Sequence, residues 1–257
     1  MKNIKLIYIA FFAMLFMTAC KKNEIKLTDV DIVKDEALFK VGYFSPNSAN
    51  PGVQLTINGQ RVSYLFTNAT PFPGGGYNTG GSNNSDYLVV NPGQNEVGIS
   101  IPKKGTNVDS VVILTTSVTL DGKKTYSMFT TDSIPTMSAF MVEDIITRPD
   151  SGFVNVRFTN LMPNVPAVDF YQNGVLIKAN VALKTCTNFQ ALTIANNPSN
   201  FQIRPAGALP ASTALAVYPT TATFSLVNTR SYTIVARGYS GFTDANRKPN
   251  VSLVLNR

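Results

Sequence analysis

Few residues of this 257-residue chain could carry out chemistry. The chain has no histidine, so it lacks the most common general base and a frequent ligand of zinc and copper. Its two cysteines are Cys20 and Cys186. If Cys20 is modified, Cys186 has no disulfide partner, and no neighbouring base is visible that would activate its thiol. The sequence therefore predicts no catalytic residue, no metal ligand and no cofactor.

The carboxylates do not change this expectation. Glu143 and Asp144 are adjacent, and Asp169 stands in an alternating run that predicts an outward-facing side chain. A glycosidase needs two acids about 5–10 Å apart across a cleft. The acids of this chain fall at predicted strand ends and in a linker, where solvated charge is the usual outcome. We therefore expect a protein that is not an enzyme.

Cys20 follows an apolar amino-terminal segment. Lys2 and Lys5 precede the apolar residues 6–16, and Met17-Thr18-Ala19 places small residues before the cysteine, a layout typical of a secretory signal peptide over residues 1–19. The apolar stretch is about half of the ~20 residues that a membrane-spanning helix needs. The segment resembles a bacterial lipobox, which implies that the signal is removed and that the Cys20 thiol carries a lipid anchor. A secretory signal with an incidental cysteine is the alternative.

The residues after Cys20 bear on the destination of the protein. Lys21-Lys22-Asn23-Glu24 lacks the aspartate that usually retains a lipoprotein in the inner membrane. Charge at this position resembles export signals of Gram-negative bacteria that display lipoproteins outward, although a hydrated spacer is the alternative. We expect residues 20–37 to be the lipidated cysteine and a tether, and the protein to lie on the outer membrane, facing the cell surface.

The net charge does not point to a nucleic-acid partner. The formal charge is +7, and lysines fall in pairs at predicted turns, Lys103-Lys104 and Lys123-Lys124, rather than along one stripe. A nucleic-acid-binding domain shows a denser basic face. We expect no nucleic-acid binding.

The chain contains an internal repeat. Short alternating runs rich in Val, Ile, Thr, Tyr and Phe predict an all-β fold. Residues 41–62 align with 156–177 without a gap, and Tyr126 aligns with Tyr232 further on. The offset falls from 115 to 106 between these two matches. The first copy therefore holds about nine extra residues, which we expect mostly before Val90.

Turn signals complete the prediction of the fold. Asn58-Gly59 and Asn173-Gly174 each predict a type I′ hairpin turn, and Asp121-Gly122 predicts a further hairpin. A twofold repeat with a period near 110 residues indicates two domains rather than a solenoid. We expect two tandem immunoglobulin-like antiparallel β-sandwich domains, residues 38–147 and 148–257.

A family resemblance rests on the runs VNVRFTNLMPNVPAVDFYQNG, FQIRPAG, SYTIVARG and VSLVLNR. These runs resemble the domain-of-unknown-function family DUF4397, in two copies over about residues 38–257. The resemblance is clearer in the second copy, because Gln54 replaces the family's acidic residue in the first. It implies β-sandwich surface modules, often in lipoproteins, and it supplies no catalytic residues.

The most unusual internal segment is PGGGYNTGGSNN, residues 73–84. No lysine and no helical period follow it, so it does not predict a phosphate-binding loop. It predicts a mobile loop, in which Tyr77 and Asn78 are candidate ligand contacts; a plain flexible insertion is the alternative. Ser110 and Ser133 each lie in an Asp-Ser-aliphatic triplet that resembles a short O-glycosylation sequon, and both are candidate modification sites.

These observations favour a non-catalytic binding or adhesion module with a glycan or protein ligand. The alternative is a structural subunit of a surface fibre or envelope complex, joined by strand addition at a sheet edge. A binding module is expected to be a monomer or small complex, whereas a fibre subunit should polymerise.

The lipid anchor gives a direct test. Replacing Cys20 with serine should abolish acylation and release the protein from the membrane fraction, because the lipid chains supply most of the membrane affinity. Mass spectrometry of the native amino terminus and fractionation of cells measure both effects. An unmodified thiol at Cys20 in the wild-type protein would contradict the prediction, and Cys186→Ser is the matched control.

Overall fold

A computed structural model describes residues 35–106, 108–220 and 224–257, with the backbone alone described at Ser110. The predicted signal peptide, Cys20 and the tether up to residue 34 lie outside the described residues. Asp35–Arg257 forms one compact unit. In the described part of the chain, no helix has the length and apolar character needed to cross a membrane.

The first half of the compact unit is a sandwich of two sheets. In one sheet, β4 and β5 each pair with β1, and β8 and β9 follow in that order. The other sheet has the order β3-β2-β6-β7. The strands are β1 (Ala37–Tyr43), β2 (Gln54–Ile57), β3 (Gln60–Arg61), β4 (Thr70–Phe72), β5 (Leu88–Val90), β6 (Gly93–Pro102), β7 (Asp109–Leu120), β8 (Thr125–Thr131) and β9 (Ser138–Glu143).

The second half repeats this arrangement strand for strand. In its first sheet, β13 and β14 pair with β10, and β17 and β18 follow; the order in its second sheet is β12-β11-β15-β16. The strands are β10 (Phe153–Leu161), β11 (Ala167–Gln172), β12 (Val175–Ala182), β13 (Thr185–Cys186), β14 (Gln190–Thr193), β15 (Phe201–Pro205), β16 (Ala216–Tyr218), β17 (Ser231–Arg237) and β18 (Asn250–Leu255).

The strand registers locate the extra residues of the first copy. Leu38 pairs with Val89 in the first sandwich, and Phe153 pairs with Thr193 in the second. Leu38 and Phe153 are 115 positions apart, whereas Val89 and Thr193 are 104 apart. Eleven extra residues of the first copy therefore precede Val90, as predicted. The offset between the copies then rises from 104 to 106 at Tyr126 and Tyr232, so the second copy has two extra residues between Thr193 and Tyr232.

The fold class is confirmed, with one difference in strand direction. Both halves are β-sandwiches, and within the described residues the one helical element is a 3-10 turn at Ile194–Asn196. Each sandwich contains a parallel pair, β1 with β8 and β10 with β17, where antiparallel pairing was expected. A parallel pair needs a long crossover, and here most of each sandwich lies between the two paired strands.

Two of the three predicted hairpin turns are present. Asn58 and Gly59 have φ values of 51° and 77°, and Asn173 and Gly174 have 51° and 79°, as type I′ turns require. The hairpin predicted at Asp121-Gly122 is wrong. β7 pairs with β6 and β8 pairs with β1 and β9, so this segment crosses from one sheet to the other.

Each sandwich has its own apolar core. Phe39, Leu55 and Ile99 are fully buried in the first core. Phe158 and Phe170 lie in the second, with ring centroids 4.8 Å apart. Residues from both sheets contribute in each case, which is how a two-layer sandwich excludes water.

A third apolar cluster joins the two sandwiches. It contains Phe44, Phe129, Leu161, Val235 and Val254. Phe129, Val235 and Val254 lie on the faces of β8, β17 and β18 that point away from the two cores, whereas Leu161 ends β10 and Phe44 directly follows β1. Burial of both faces explains why all seven residues of β17 are buried. The sheet containing β1 and β8 therefore packs face to face on the sheet containing β10 and β17, and the molecule has four layers of strands.

The interface between sandwiches should contribute strongly to stability. Phe129 is 1% exposed, and its ring lies near those of Phe44 and Phe140, at 6.2 and 5.8 Å. Replacing it with alanine should lower the free energy of unfolding by about 3–5 kcal/mol, since the cavity is walled by both halves. Val175→Ala, at a side chain 63% exposed, should change it by no more than about 0.5 kcal/mol. Urea denaturation measures both values, and equal effects would contradict this account of the interface.

Candidate binding site at the outer edge of β9

The predicted ligand contacts Tyr77 and Asn78 lie against the second sandwich. The Tyr77 ring is half-buried and meets the rings of Phe224 and Tyr232 edge-on, with centroids 5.1 and 5.7 Å away. The Asn78 side chain accepts a hydrogen bond from the Leu253 N–H at 2.6 Å. The segment that was expected to be a mobile loop is thus packed on β18. A role in ligand binding stays a prediction for both residues, whose side chains are occupied within the chain.

This glycine-rich segment covers the outer edge of β18 with main-chain hydrogen bonds. The Leu255 N–H donates to the Gly75 carbonyl at 2.7 Å, and the Tyr77 N–H donates to the Leu253 carbonyl at 3.1 Å. Glycine is required at position 75, where φ is +99° and a Cβ would lie 2.5 Å from the Leu255 carbonyl oxygen. The close approach of two backbones therefore explains why the segment is rich in glycine.

The equivalent edge in the first sandwich belongs to β9. Tyr126 pairs with Glu143, and Tyr232 pairs with Leu255, so Glu143 corresponds to Leu255 and Met141 to Leu253. The Asp144 N–H donates to Thr125 of β8, and because pairing alternates along an antiparallel strand, the backbone groups of Met141 and Glu143 face away from β8.

The outward backbone groups of β9 are available. In the described part of the chain, no hydrogen-bond partner is present for the N–H and C=O groups of Ala139, Met141 and Glu143. The corresponding groups of Leu253 are bonded to Asn78 and Tyr77. The two strands therefore hold equivalent positions in the two sandwiches, but the edge of β18 is covered by hydrogen-bonded chain and the edge of β9 is not.

Loop length explains the difference between the two edges. The segment between β4 and β5 spans 15 residues, 73–87, whereas the segment between β13 and β14 spans three, 187–189. The short segment leaves a cleft of about 340 Å³ beside the end of β9. Its lining residues are Glu143, Ile145, Thr147, Asn155, Arg157, Thr187, Asn188 and Phe189.

A second cleft, of about 280 Å³, opens between β7 and β9. It is lined by residues 116–119 and 139–141 together with Met128. By strand register, Thr116 and Val118 occupy the positions that Tyr218 and Phe224 hold in the second sandwich. The second cleft thus lies where the second sandwich receives the Tyr77 ring.

A buried polar cluster fixes the end of β9 to the second sandwich. Arg157 donates to the Asp144 carboxylate at 2.6 Å, and both side chains are at most 3% exposed. Ser127, Tyr87 and Asn256 also donate to this carboxylate, at 2.7, 2.8 and 3.2 Å. The guanidinium of Arg157 lies 4.6 Å from the centre of the Phe189 ring. The cluster therefore holds the strand and the wall of the first cleft in one position.

Lys40 is buried beside this cluster. Burial lowers the pKa of its ammonium group to about 7, against the opposing effects of Asp144 and Asp86. The amine donates to the Leu255 carbonyl at 2.8 Å and lies 4.2 Å from the centre of the Tyr87 ring. Lys40 thus caps the last outward carbonyl of β18.

Cys186 and Asp169, which were also singled out in the sequence, lie in the second sandwich, where Cys186 is half-buried. Burial raises the pKa of the Cys186 thiol to about 11, so the thiol stays protonated at neutral pH. The expectation that Asp169 faces solvent is wrong: it is 4% exposed, and its carboxylate accepts hydrogen bonds from the Asn180 and Gly207 N–H groups at 2.7 and 3.0 Å. The described residues contain no cluster of metal-ligating side chains.

The two candidate glycosylation sites differ in their surroundings. The Ser133 hydroxyl donates to the Pro46 carbonyl at 2.6 Å and lies 3.0 Å from the Tyr239 hydroxyl, so it bridges the two sandwiches. Ser110 lies in β7, and its side chain is outside the described residues. Modification at either position stays a prediction.

Comparisons with known proteins agree with the repeat. The family model described as a domain of unknown function, DUF4397, matches residues 38–171 and again residues 154–252, which confirms the resemblance. A search of curated proteins gives no match. One solved structure that matches is of family 41 carbohydrate-binding modules from streptococcal virulence factors, described for α-glucan recognition. It is 10% identical, with a TM-score of 0.25, and the match covers 84% of this chain and 96% of the other. A likeness this weak carries no argument about a ligand.

The buried lysine gives a prediction for pH dependence. Between pH 7 and about 10 the unfolded chain keeps a proton that folded Lys40 has lost, so the contribution of Lys40 to the free energy of unfolding rises with pH. The free energy of unfolding of the wild-type protein minus that of Lys40→Met should rise by up to about 1.4 kcal/mol per pH unit in this window. Below pH 6 this difference should be constant. Chemical denaturation from pH 5 to 10 measures it, with the exposed Lys178→Met as control. A difference that is constant across this range would contradict the prediction.

Proposed function

Because the chain belongs to the DUF4397 family, whose description assigns no activity, we propose that it is a non-catalytic binding module that captures its ligand at the outer edge of β9. One observation carries the proposal: the edge of β9 is open and flanked by two clefts, whereas the equivalent edge of β18 is covered by the chain itself.

The chemistry of the first cleft supports binding. Asn155, Thr187 and Asn188 bring polar groups to it, and Phe189 brings an aromatic ring. A few polar groups on an apolar and aromatic wall are typical of ligand sites. The acidic residues nearby have structural partners, since Asp144 is paired with Arg157 and Glu143 with Lys124. These pairings favour recognition over acid–base catalysis.

We further propose that this module is held on the outer membrane through a lipidated Cys20 and faces the cell surface. The support for this placement is the sequence of residues 1–24, with its basic start, apolar stretch and charged residues after the cysteine. The tether that follows Cys20, residues 21–37, would allow the two sandwiches to reach beyond the lipid headgroups.

A structural subunit of a surface fibre or envelope complex is the second candidate. It is favoured by the length of β7, which has 12 residues and lies at the edge of its sheet. Val111 and Val112 are exposed there. Long apolar edges promote strand pairing between molecules, so such a subunit should polymerise once freed from the lipid.

An array of glycans, host-matrix proteins and peptides, probed with residues 23–257, tests the function. A binding module should stay a monomer or small complex by light scattering and bind a defined subset of the array. Asn188→Trp, which narrows the first cleft, should weaken that binding about tenfold, which corresponds to about 1.4 kcal/mol. Asn83→Trp, at an exposed position that lines neither cleft, is the control. An array without any binding, together with polymerisation, would contradict the proposal and favour the fibre subunit.

A further inference from the structure

We infer that β9 accepts an extended segment of a partner polypeptide, which joins the sheet as an added strand and inserts an aromatic side chain between β7 and β9. The inference rests on the proposed function, because it uses the same edge, and it adds the chemical class of the ligand. The first sandwich has both features that this binding needs: the open backbone edge of β9, and the cleft of about 280 Å³ between β7 and β9, here called the slot.

The second sandwich shows how such an edge is filled. Gly75 and Tyr77 form main-chain hydrogen bonds with Leu255 and Leu253, and Gly76 forms a bridge with Val254. The next side chain in this segment, Tyr77, packs among the aromatic rings of that sandwich's core. A short extended segment therefore supplies both the backbone pairing and an aromatic plug.

The edge of β9 presents the same pattern without an occupant among residues 35–106, 108–220 and 224–257. The N–H of Glu143 corresponds to the donor of Leu255, and the C=O of Met141 corresponds to the acceptor of Leu253. Donors and acceptors that repeat at strand spacing are complementary to another backbone. A sugar does not offer this spacing of alternating groups, so the edge favours a polypeptide.

The slot between β7 and β9 has room because two positions of its β7 wall carry small side chains. Thr116 and Val118 stand where the second sandwich has Tyr218 and Phe224. Met128 and Met141 also line the 280 Å³ cleft, and thioether sulfur atoms make favourable contacts with aromatic rings. An aromatic side chain is therefore the residue that fits the slot.

The occupant should come from a partner. Among the segments that the structure describes, the glycine-rich segment is bound to β18, and residues 187–189 are too few to cross β9. The sequence of β9, SAFMVE, has neither lysine nor proline, the residues with which edge strands usually prevent pairing. The edge is thus open and lacks the usual protection against an added strand.

The test uses residues 23–257 and nine-residue peptides with strand-forming flanks around a central Gly-Gly-Tyr step. In matched peptides the tyrosine is replaced by phenylalanine, tryptophan or alanine. We expect the aromatic peptides to bind and the alanine peptide to bind at least about tenfold more weakly. On binding, the amides of Met141 and Glu143 should become protected from hydrogen exchange, because they gain hydrogen-bond partners.

Two pairs of variants locate the site. Glu143→Pro removes an outward N–H and leaves the pairing of β9 with β8 intact, since proline is tolerated where an edge strand faces solvent. It should weaken peptide binding about tenfold or more, and Glu143→Ala should not. Thr116→Trp fills the slot and should have a similar effect, whereas Thr115→Trp, at an exposed position of the same strand, should not. Circular dichroism confirms that each variant is folded.

Each other outcome overturns the inference. Peptide binding that is unchanged in both Glu143→Pro and Thr116→Trp would place the site elsewhere. Binding of glycans but of no peptide would reject the polypeptide and leave the proposed function standing. A dimer that Glu143→Pro dissociates would identify a second copy of this chain as the occupant. If nothing on the array binds, the inference fails, and if the protein also polymerises, the proposed function fails as well.

Discussion

The face-to-face packing of two sheets is the constraint on which the rest of the molecule depends. It buries the sheet containing β1 and β8 on both sides, so polar side chains on the shared face must find partners there. Asp144 and Arg157 do so as a buried ion pair, with hydroxyl and amide donors around the carboxylate. Removing one member would leave the other charged and buried. With both faces of the two inner sheets used for packing, their edges and the loops beside them are the parts of these sheets that solvent can reach.

A difference in one loop leaves two similar sandwiches with unequal sheet edges. Both copies have the same strand order, and the same positions of β9 and β18 point outward. Only the first copy has a long segment between its fourth and fifth strands, and that segment lies on the other copy's edge. The second copy has three residues there and cannot cover β9. The open edge is thus a result of asymmetry between the two copies.

The sequence was informative where the signal is local or repeated. Matching runs revealed the two copies, and Asn58-Gly59 and Asn173-Gly174 predicted their turns because a positive φ favours those residues. Asp121-Gly122 misled because a turn signal does not specify which sheet the next strand joins. The site on β9 was missed for a similar reason: an alternating strand reads alike at an edge or in the middle of a sheet. Only tertiary pairing shows which backbone groups remain open.

The contact of Gly75 and Tyr77 with β18 also means that the halves of the chain are interdependent. A fragment containing the second sandwich alone would expose bare strand backbone and a hole between its layers, inviting aggregation. The two copies therefore form one compact unit, in which part of the first copy completes the surface of the second. Truncation at the boundary between the repeats would still expose the edge of β18, because the segment that covers this edge, residues 73–87, belongs to the first repeat.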